Sequence, residues 1–120
     1  KRNYLFLSIH ANAFGTTWNT ANGVETFISK NASSNSIRAA TIFQKNLVKH
    51  TGLRDRCQPI GYKTADFYVL RQTLCPAVLV ECGFYTNIQE VEFLHSEEGQ
   101  ERIINSLKES VLDYFNIKQI

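Results

Sequence analysis

The sequence predicts a single α/β domain in which a twisted, mainly parallel β-sheet is flanked by helices. Short apolar runs that are typical of buried strands occur at 4–9 and 76–84. Segments with apolar residues at helical spacing lie between and after these runs, which gives the order β-β-α-loop-β-α-α. The chain has 120 residues, of which 43% are hydrophobic, so it is long enough for one modest core.

The first half of the chain contains two predicted strands and one helix. Residues 4–9 form an apolar run with aromatic and β-branched members, and apolar and polar residues alternate along 23–29. The loop 14–22 between them is rich in Gly, Thr and Asn and carries the only tryptophan, Trp18. A helix follows and ends near Gly52. Its predicted inward face consists of Ile37, Ala40, Phe43 and Leu47.

The second half contains one predicted strand and two helices. Residues 53–66 are irregular, 67–71 form a short apolar segment, and 76–84 form the strand. A short helix is predicted over 87–95, with Asn87 as its N-terminal cap. The final helix has the clearest apolar stripe, which we expect to pack in the core: Ile103, Ile104, Leu107, Val111, Leu112 and Phe115.

Composition and charge exclude several classes of function. Thirteen basic and eleven acidic residues give a net charge of +2, and no basic cluster is interleaved with aromatic residues, so binding to nucleic acid is not expected. No apolar run approaches the length of a membrane span, and the N-terminus lacks the pattern of a signal peptide. Because the chain begins at Lys1 and contains no methionine, we expect a processed or trimmed piece that has lost an N-terminal segment.

The three cysteines predict neither a zinc knuckle nor a disulfide framework, because their number is odd and no CxxC spacing occurs. Cys82 lies within an apolar strand and is expected to be a small core residue. A disulfide between Cys57 and Cys75 is left open by the sequence.

Glu81 is the most unusual residue, because it is a single carboxylate inside the apolar run 76–84. Burial of an ionised carboxylate is unfavourable unless something compensates it. A metal, a cationic partner or a reaction that needs a base with a perturbed pKa would explain the charge. The alternative is an edge-strand residue that points to solvent, which the alternation of side chains along a strand allows.

His10 closes the first apolar run and provides a partner for Glu81. The carboxyl end of a strand in an open α/β sheet is where such sheets bind ligands. Imidazole is the commonest zinc ligand, and a nearby carboxylate is the proton acceptor that zinc-assisted hydrolysis needs. A lone histidine is more often structural, and His50, in the last turn of its helix, is assigned such a role. His95, on a short helix near the surface, is interpreted as a solvated residue.

Four segments follow one another in a characteristic order. They are FLSIHANA at 6–13, GVETF at 23–27, YVLR at 68–71, and PAVLVECGF at 76–84 with Asn87. In this order they resemble the signatures of the zinc-dependent N-acetylmuramoyl-L-alanine amidases of the amidase-3 family. That family includes cell-wall autolysins, sporulation amidases and phage endolysins.

The resemblance implies a fold, a cofactor and a reaction. It implies a sheet flanked by helices and one catalytic Zn²⁺, and cleavage of the amide between N-acetylmuramic acid and the L-alanine of the stem peptide in peptidoglycan. It assigns the role of zinc ligand to His10 and the role of catalytic carboxylate to Glu81.

The resemblance also implies what the chain lacks. Two further family ligands, a His and a Glu, lie upstream of the His10 strand and have no counterpart here. Residues 1–120 would then be the C-terminal two-thirds of one amidase domain, without its first strand or strands and first helix. A catalytic zinc typically has three protein ligands, so we expect the chain to be inactive by itself.

Other assignments are secondary. Asn12 is expected either to contact substrate or orient the site, or to be a turn-forming residue after the strand. Arg71 is expected to bind a stem-peptide carboxylate, and Glu25 to be an exposed strand residue. The loop of Trp18 is a further, weaker candidate for contact with peptidoglycan. The expected location is the cell wall or periplasm, and the partners besides peptidoglycan are a complementary N-terminal fragment or a second copy at an open sheet edge.

Two functions of other classes remain open at this point. One is a metal-free fragment of the same fold that binds the wall or regulates without catalysis. The other is a thiol hydrolase that uses Cys82, although a thiol in the middle of a buried strand is expected to be unreactive.

Overall fold

The sheet has four strands, and the structure, a computed structural model, describes residues 4–118. The strands are β1 (Phe6–Asn12), β2 (Glu25–Ile28), β3 (Lys63–Thr64) and β4 (Ala77–Phe84), arranged in the order β1-β4-β2-β3. β1 pairs with β4 and β2 with β3 in parallel, whereas β2 and β4 are antiparallel. The predicted mainly parallel sheet is confirmed, with one antiparallel pair at its centre.

Four helices flank the sheet: α1 (Ser34–Thr51), α2 (Tyr68–Arg71), α3 (Ile88–His95) and α4 (Glu97–Tyr114). The predicted boundaries at Gly52 and Asn87 are confirmed. Gly52 ends α1 in the left-handed conformation, and the side chain of Asn87 accepts hydrogen bonds from two backbone N–H groups in the first turn of α3. No helix among residues 4–118 has both the length and the apolar character that crossing a membrane requires.

The two faces of the sheet are covered unequally. On the face that we call the core face, β4 presents Val78, Val80 and Cys82 to a large cluster formed with α1, α3 and α4. On the opposite face, which we call the open face, β4 presents Ala77, Leu79 and Glu81. Here the buried apolar cluster is small and comes mainly from the segment around α2: Leu70, Ala77 and Leu79, with Phe27 and Phe67 packed against them.

Two apolar residues that helical spacing assigned to the core are exposed instead, namely Ile37 and Ile104. The facing surfaces of α1 and α4 use small and polar side chains, which allow two packed helices to approach closely. Asn46 Nδ2 donates a hydrogen bond to Ser110 Oγ at 3.0 Å, and Ser106 is completely buried. Apolar spacing predicted these two helices correctly but misplaced part of each buried face.

All three cysteines are free thiols, so the disulfide that the sequence left open is not formed. Cys57 is buried, and its Sγ accepts a hydrogen bond from the backbone N–H of Thr26. Cys75 is half-buried and lies 3.2 Å from Thr73 Oγ1. Cys82 is buried in the main core, as predicted.

The buried carboxylate of Glu90, in the first turn of α3, joins the ends of two strands. Its Oε1 accepts a hydrogen bond from the backbone N–H of Phe84 at 2.8 Å, and its Oε2 accepts one from Gly23 at 2.9 Å. Gly23 has a φ of +108°, and a Cβ there would lie 2.5 Å from the carbonyl oxygen of Arg54, so only glycine fits. Glu90 therefore fixes the entry to β2 and the exit from β4 relative to each other.

We predict that Glu90→Gln destabilises the chain by about 1–3 kcal/mol, because an amide replaces one of the two acceptor oxygens of a buried, charged hydrogen-bonding group. The free energy of unfolding from urea denaturation measures this loss. Glu92→Gln, an exposed position on the same helix, is the matched control and should change stability by less than about 0.5 kcal/mol. Equal effects of the two substitutions would contradict the role of Glu90.

Candidate active site

The parallel pairing of β1 with β4 brings His10 beside Glu81. The two residues are direct partners in the register of these strands, and Ser8 is paired with Leu79 two residues earlier. Since side chains alternate along a strand, His10 and Glu81 both lie on the open face. His10 is exposed and Glu81 is half-buried. The two residues singled out by sequence are therefore neighbours in the fold.

A β-bulge follows this pair. The register passes from His10 opposite Glu81 to Asn12 opposite Phe84, so β4 contains one residue more than β1 over this interval. Gly83 lies in the bulge with a φ of +142°, and a Cβ there would approach Glu90 Oε1 to 3.4 Å. Bulges change the direction of a strand and of its side chains, and this one ends the regular pairing directly after Glu81.

Glu81 has the environment of a proton acceptor. Burial, and secondly the charge of Glu25, raise the pKa of Glu81 from its ordinary value of 4.5 to about 7. Among residues 4–118, its buried Oε1 has no hydrogen-bond partner. The alternative of an edge strand is wrong, because β4 has β1 on one side and β2 on the other. A carboxyl group with a pKa near neutrality is suited to general acid–base catalysis.

Glu25 is buried, and the expectation that it is exposed is wrong. It is only 5% exposed and lies opposite Glu81 in the β2–β4 pair. Its Oε1 lies 2.6 Å from Lys63 Nζ and 3.4 Å from Arg56 Nε, while its Oε2 accepts a hydrogen bond from Asn12 Nδ2 at 2.5 Å. The two cations come from distant parts of the chain, so the alternation along β2 could not reveal them. Glu25 thus places a negative charge beside Glu81.

Asn12 and Ser8 orient the side chains of this site. The Asn12 amide donates to Glu25, and its oxygen accepts the backbone N–H of Ala13 at 2.9 Å, so both ends are used within the protein. This arrangement favours the orienting role over direct substrate contact. Ser8 Oγ lies 2.7 Å from His10 Nε2, which fixes the imidazole ring and leaves the other ring nitrogen available.

The side chains at this site are of types that bind zinc, but there are too few of them to hold the ion. His10 offers an imidazole nitrogen and Glu81 a carboxylate, both of which zinc accepts. Within residues 4–118, however, no three His, Cys, Asp or Glu side chains converge to hold a metal ion. A zinc site that includes His10 would therefore need further ligands from outside this part of the chain.

The remaining candidates lie away from the His10–Glu81 pair. Arg71 is exposed beside the start of β4, where it forms an ion pair of 3.3 Å with Asp66. His50 is 2.7 Å from Glu109 Oε1 and links α1 to α4, as the structural interpretation expects. Burial, and then the charge of Glu81, raise the pKa of the Cys82 thiol to about 12, which argues against a Cys82 nucleophile.

Comparison with known proteins gives consistent results. A family model described as N-acetylmuramoyl-L-alanine amidase matches residues 1–113. The amidase LytC of Bacillus subtilis is 36% identical over 112 residues, which cover 92% of this chain and 21% of LytC. Another Bacillus subtilis protein, YqiI, is 36% identical over 113 residues, which cover 93% of this chain and 52% of YqiI.

Solved structures show the same fold. The N-acetylmuramoyl-L-alanine amidase from Clostridium difficile 630 matches with a TM-score of 0.85 and 34% identity, over 96% of this chain and 59% of that one. The chain thus spans about half the length of YqiI and a smaller part of LytC. The α/β fold predicted from the sequence is confirmed by this likeness.

We predict that Glu25→Gln lowers the pKa of Glu81 from about 7 toward 4.5. The substitution removes the neighbouring negative charge, which favours the ionised form of Glu81, while the effect of burial remains. An NMR titration of the Glu81 carboxyl carbon measures the pKa. Glu109→Gln, at a carboxylate between α1 and α4, is the control and should leave it unchanged. A titration that stays near 7 in Glu25→Gln would refute the proposed coupling.

We predict that Glu81→Gln stabilises the chain at pH 8 but not at pH 4. A folded-state pKa of about 7 lies above the ordinary 4.5, so the stabilisation by the protonated form is complete below about 4.5 and is lost as the pH rises through 7. The neutral amide avoids this loss, whose upper limit is about 3.5 kcal/mol for a shift of about 2.5 pKa units at ~1.4 kcal/mol per unit, and solvent screening of the half-buried group lowers it. Urea denaturation at both pH values tests this, and a pH-independent difference would disprove it.

Proposed function

Because the chain belongs to the amidase-3 family of N-acetylmuramoyl-L-alanine amidases, we propose that it forms part of a catalytic domain that hydrolyses peptidoglycan. The bond cleaved is the amide between N-acetylmuramic acid and the L-alanine of the stem peptide. The observation that carries this proposal is the pairing of His10 with a half-buried Glu81 on the open face. We also propose that residues 1–120 are the C-terminal two-thirds of this domain.

In the proposed reaction, Glu81 moves the proton. As a carboxylate it accepts a proton from the water that attacks the amide carbonyl carbon, and a C–O bond forms. It then donates this proton to the amide nitrogen as the C–N bond breaks, which releases the amino group of L-alanine. A pKa of about 7 suits both steps, because the group neither holds the proton too tightly nor accepts it too weakly near neutral pH.

The proposed cofactor is Zn²⁺, with His10 as one ligand. Zinc, when bound, polarises the amide carbonyl and makes the attacking water more acidic. Ser8 would hold the imidazole ring of His10 in a fixed orientation, as hydrogen-bond partners of metal-binding histidines generally do. The other protein ligands would be the His and the Glu that the family carries upstream of this strand.

The proposed substrate places the site of action at the bacterial wall. The relatives include a cell wall amidase from Bacillus anthracis and an endolysin from Bacillus phage SPP1. A role of Arg71 in binding a stem-peptide carboxylate stays a prediction. So does completion of the domain by an N-terminal fragment or a second copy along the outer edge of β1, which is the edge strand nearest the site.

A metal-free, non-catalytic piece that binds the wall is the second candidate. It is favoured by one observation, namely that residues 4–118 contain no cluster of three potential metal ligands. The two candidates differ in a measurable property, because only the first requires zinc and Glu81.

We predict that the chain joined to an upstream amidase segment carrying the His and Glu ligands binds about one zinc ion and hydrolyses purified peptidoglycan. Metal analysis and the appearance of N-terminal L-alanine measure the two properties. Glu81→Gln should keep the zinc and reduce hydrolysis by at least ~100-fold, while His10→Ala should lose the zinc.

Cys82→Ala is the matched control in the same strand and should keep both properties, because its side chain faces the core. Cleavage by a zinc-free protein would contradict the metal hypothesis, and full activity in Glu81→Gln would contradict its role as base. A joined protein that binds peptidoglycan without zinc or cleavage would support the non-catalytic candidate.

A further inference from the structure

Three large aromatic side chains are exposed at the end of the sheet that carries His10 and Glu81. Phe14 is 67% exposed, Trp18 is 63% exposed and Tyr85 is 48% exposed. Exposed apolar groups that cluster together commonly mark a binding surface, whereas single ones do not. Trp18 and Tyr85 line a shallow groove of about 440 Å³, which we call the aromatic groove and which is completed by Thr16, Thr17 and Thr86.

The groove is built from segments that continue directly from the two strands of the site. Trp18 lies in the loop after β1, eight residues beyond His10, and Tyr85 follows Glu81 by four residues. The backbone N–H of Tyr85 donates to the carbonyl oxygen of Asn12 at 2.7 Å. The groove therefore lies at the same end of the sheet as the candidate active site.

The loop that carries Trp18 is hydrogen-bonded to the opposite wall of the groove, which Tyr85 and Thr86 form. The backbone N–H of Asn19 donates to the carbonyl oxygen of Thr86 at 2.8 Å, and that of Phe14 donates to Thr86 Oγ1 at 3.2 Å. The ring of Tyr85 makes an edge contact with His95, with 5.9 Å between the ring centroids. These contacts hold the two aromatic walls in place before any ligand binds.

The side chains that line the groove favour the binding of a neutral, hydroxyl-rich ligand. Its lining contains two aromatic rings and three threonine side chains and no charged group. An aromatic face suits the C–H face of a pyranose ring, and threonine hydroxyl groups can donate to and accept from sugar hydroxyl and acetamido groups. A stem-peptide carboxylate would instead require a cationic side chain, which this lining lacks.

We propose that the aromatic groove binds an N-acetylhexosamine ring of the glycan strand, next to the muramic acid whose amide is cleaved. This inference rests on the proposed function, which supplies the glycan as substrate. The groove then positions the sugar chain, while the His10–Glu81 pair acts on the amide that branches from it. Phe14, on the same loop but outside the groove lining, is also exposed.

Trp18 makes the proposal directly testable, because it is the only tryptophan in the chain. The probe is a peptide-free tetrasaccharide of alternating N-acetylglucosamine and N-acetylmuramic acid, titrated into the 120-residue chain. We expect a saturable change in tryptophan emission. The free stem peptide, which lacks sugar, should cause no such change at the same concentrations.

Two variants locate the binding. Tyr85→Ala should weaken tetrasaccharide binding at least fivefold by the same fluorescence titration, because one aromatic wall is lost. Tyr68→Ala, an exposed aromatic position on α2 outside the groove, is the matched control and should leave the affinity unchanged. An unchanged emission with glycan, an equal response to the stem peptide, or unaltered affinity in Tyr85→Ala would each overturn the proposal.

These measurements need neither zinc nor hydrolysis, so their failure is distinct from that of the proposed reaction. Glycan binding by a chain that still fails to cleave after it is joined to the upstream segment would support the groove and reject the catalytic function. Cleavage of the amide without any tryptophan response would reject the groove alone.

Discussion

The pairing of β4 with a strand on each side is the constraint on which the site depends. β1 sets His10 opposite Glu81, and β2 sets Glu25 opposite the same residue. Three polar side chains from three strands thus form one row across the open face. Since side chains alternate with a period of two, a slip of one residue in the β1–β4 pairing would turn His10 toward the apolar core, and a slip in the β2–β4 pairing would turn Glu25 toward it. The burial of the core face therefore also enforces the geometry of the opposite face.

The two carboxylates of this row, Glu25 and Glu81, differ in how far neighbouring cations compensate their charge. Lys63 and Arg56 compensate the charge of Glu25, whereas no cation contacts Glu81 among the described residues. The first carboxylate is a stable part of the fold, and the second carries an unfavourable charge. Such a destabilised group in an otherwise well-packed strand is typical of sites where function is retained at the expense of stability.

Sequence periodicity predicted the parts of the fold that depend on local repetition. The strands that carry His10 and Glu81 and the long helices α1 and α4 are of this kind. β3, with two residues, is too short to show a period. The burial of Glu25 depends on Lys63, 38 positions away, which no pattern along β2 could reveal. The two central residues were found because each breaks an apolar run, and that signal is local.

The bulge at Gly83 has a consequence for how a long polymer would be held. Glu90 accepts the backbone N–H of Phe84 and Asn12 accepts that of Tyr85, so the backbone directly after the bulge is held in a fixed position relative to Glu81. A sugar resting against Tyr85 and an amide lying over Glu81 would be separated by a distance that the protein backbone fixes in advance. Under the proposed function, this fixed distance along the polymer would then select the bond that is cleaved.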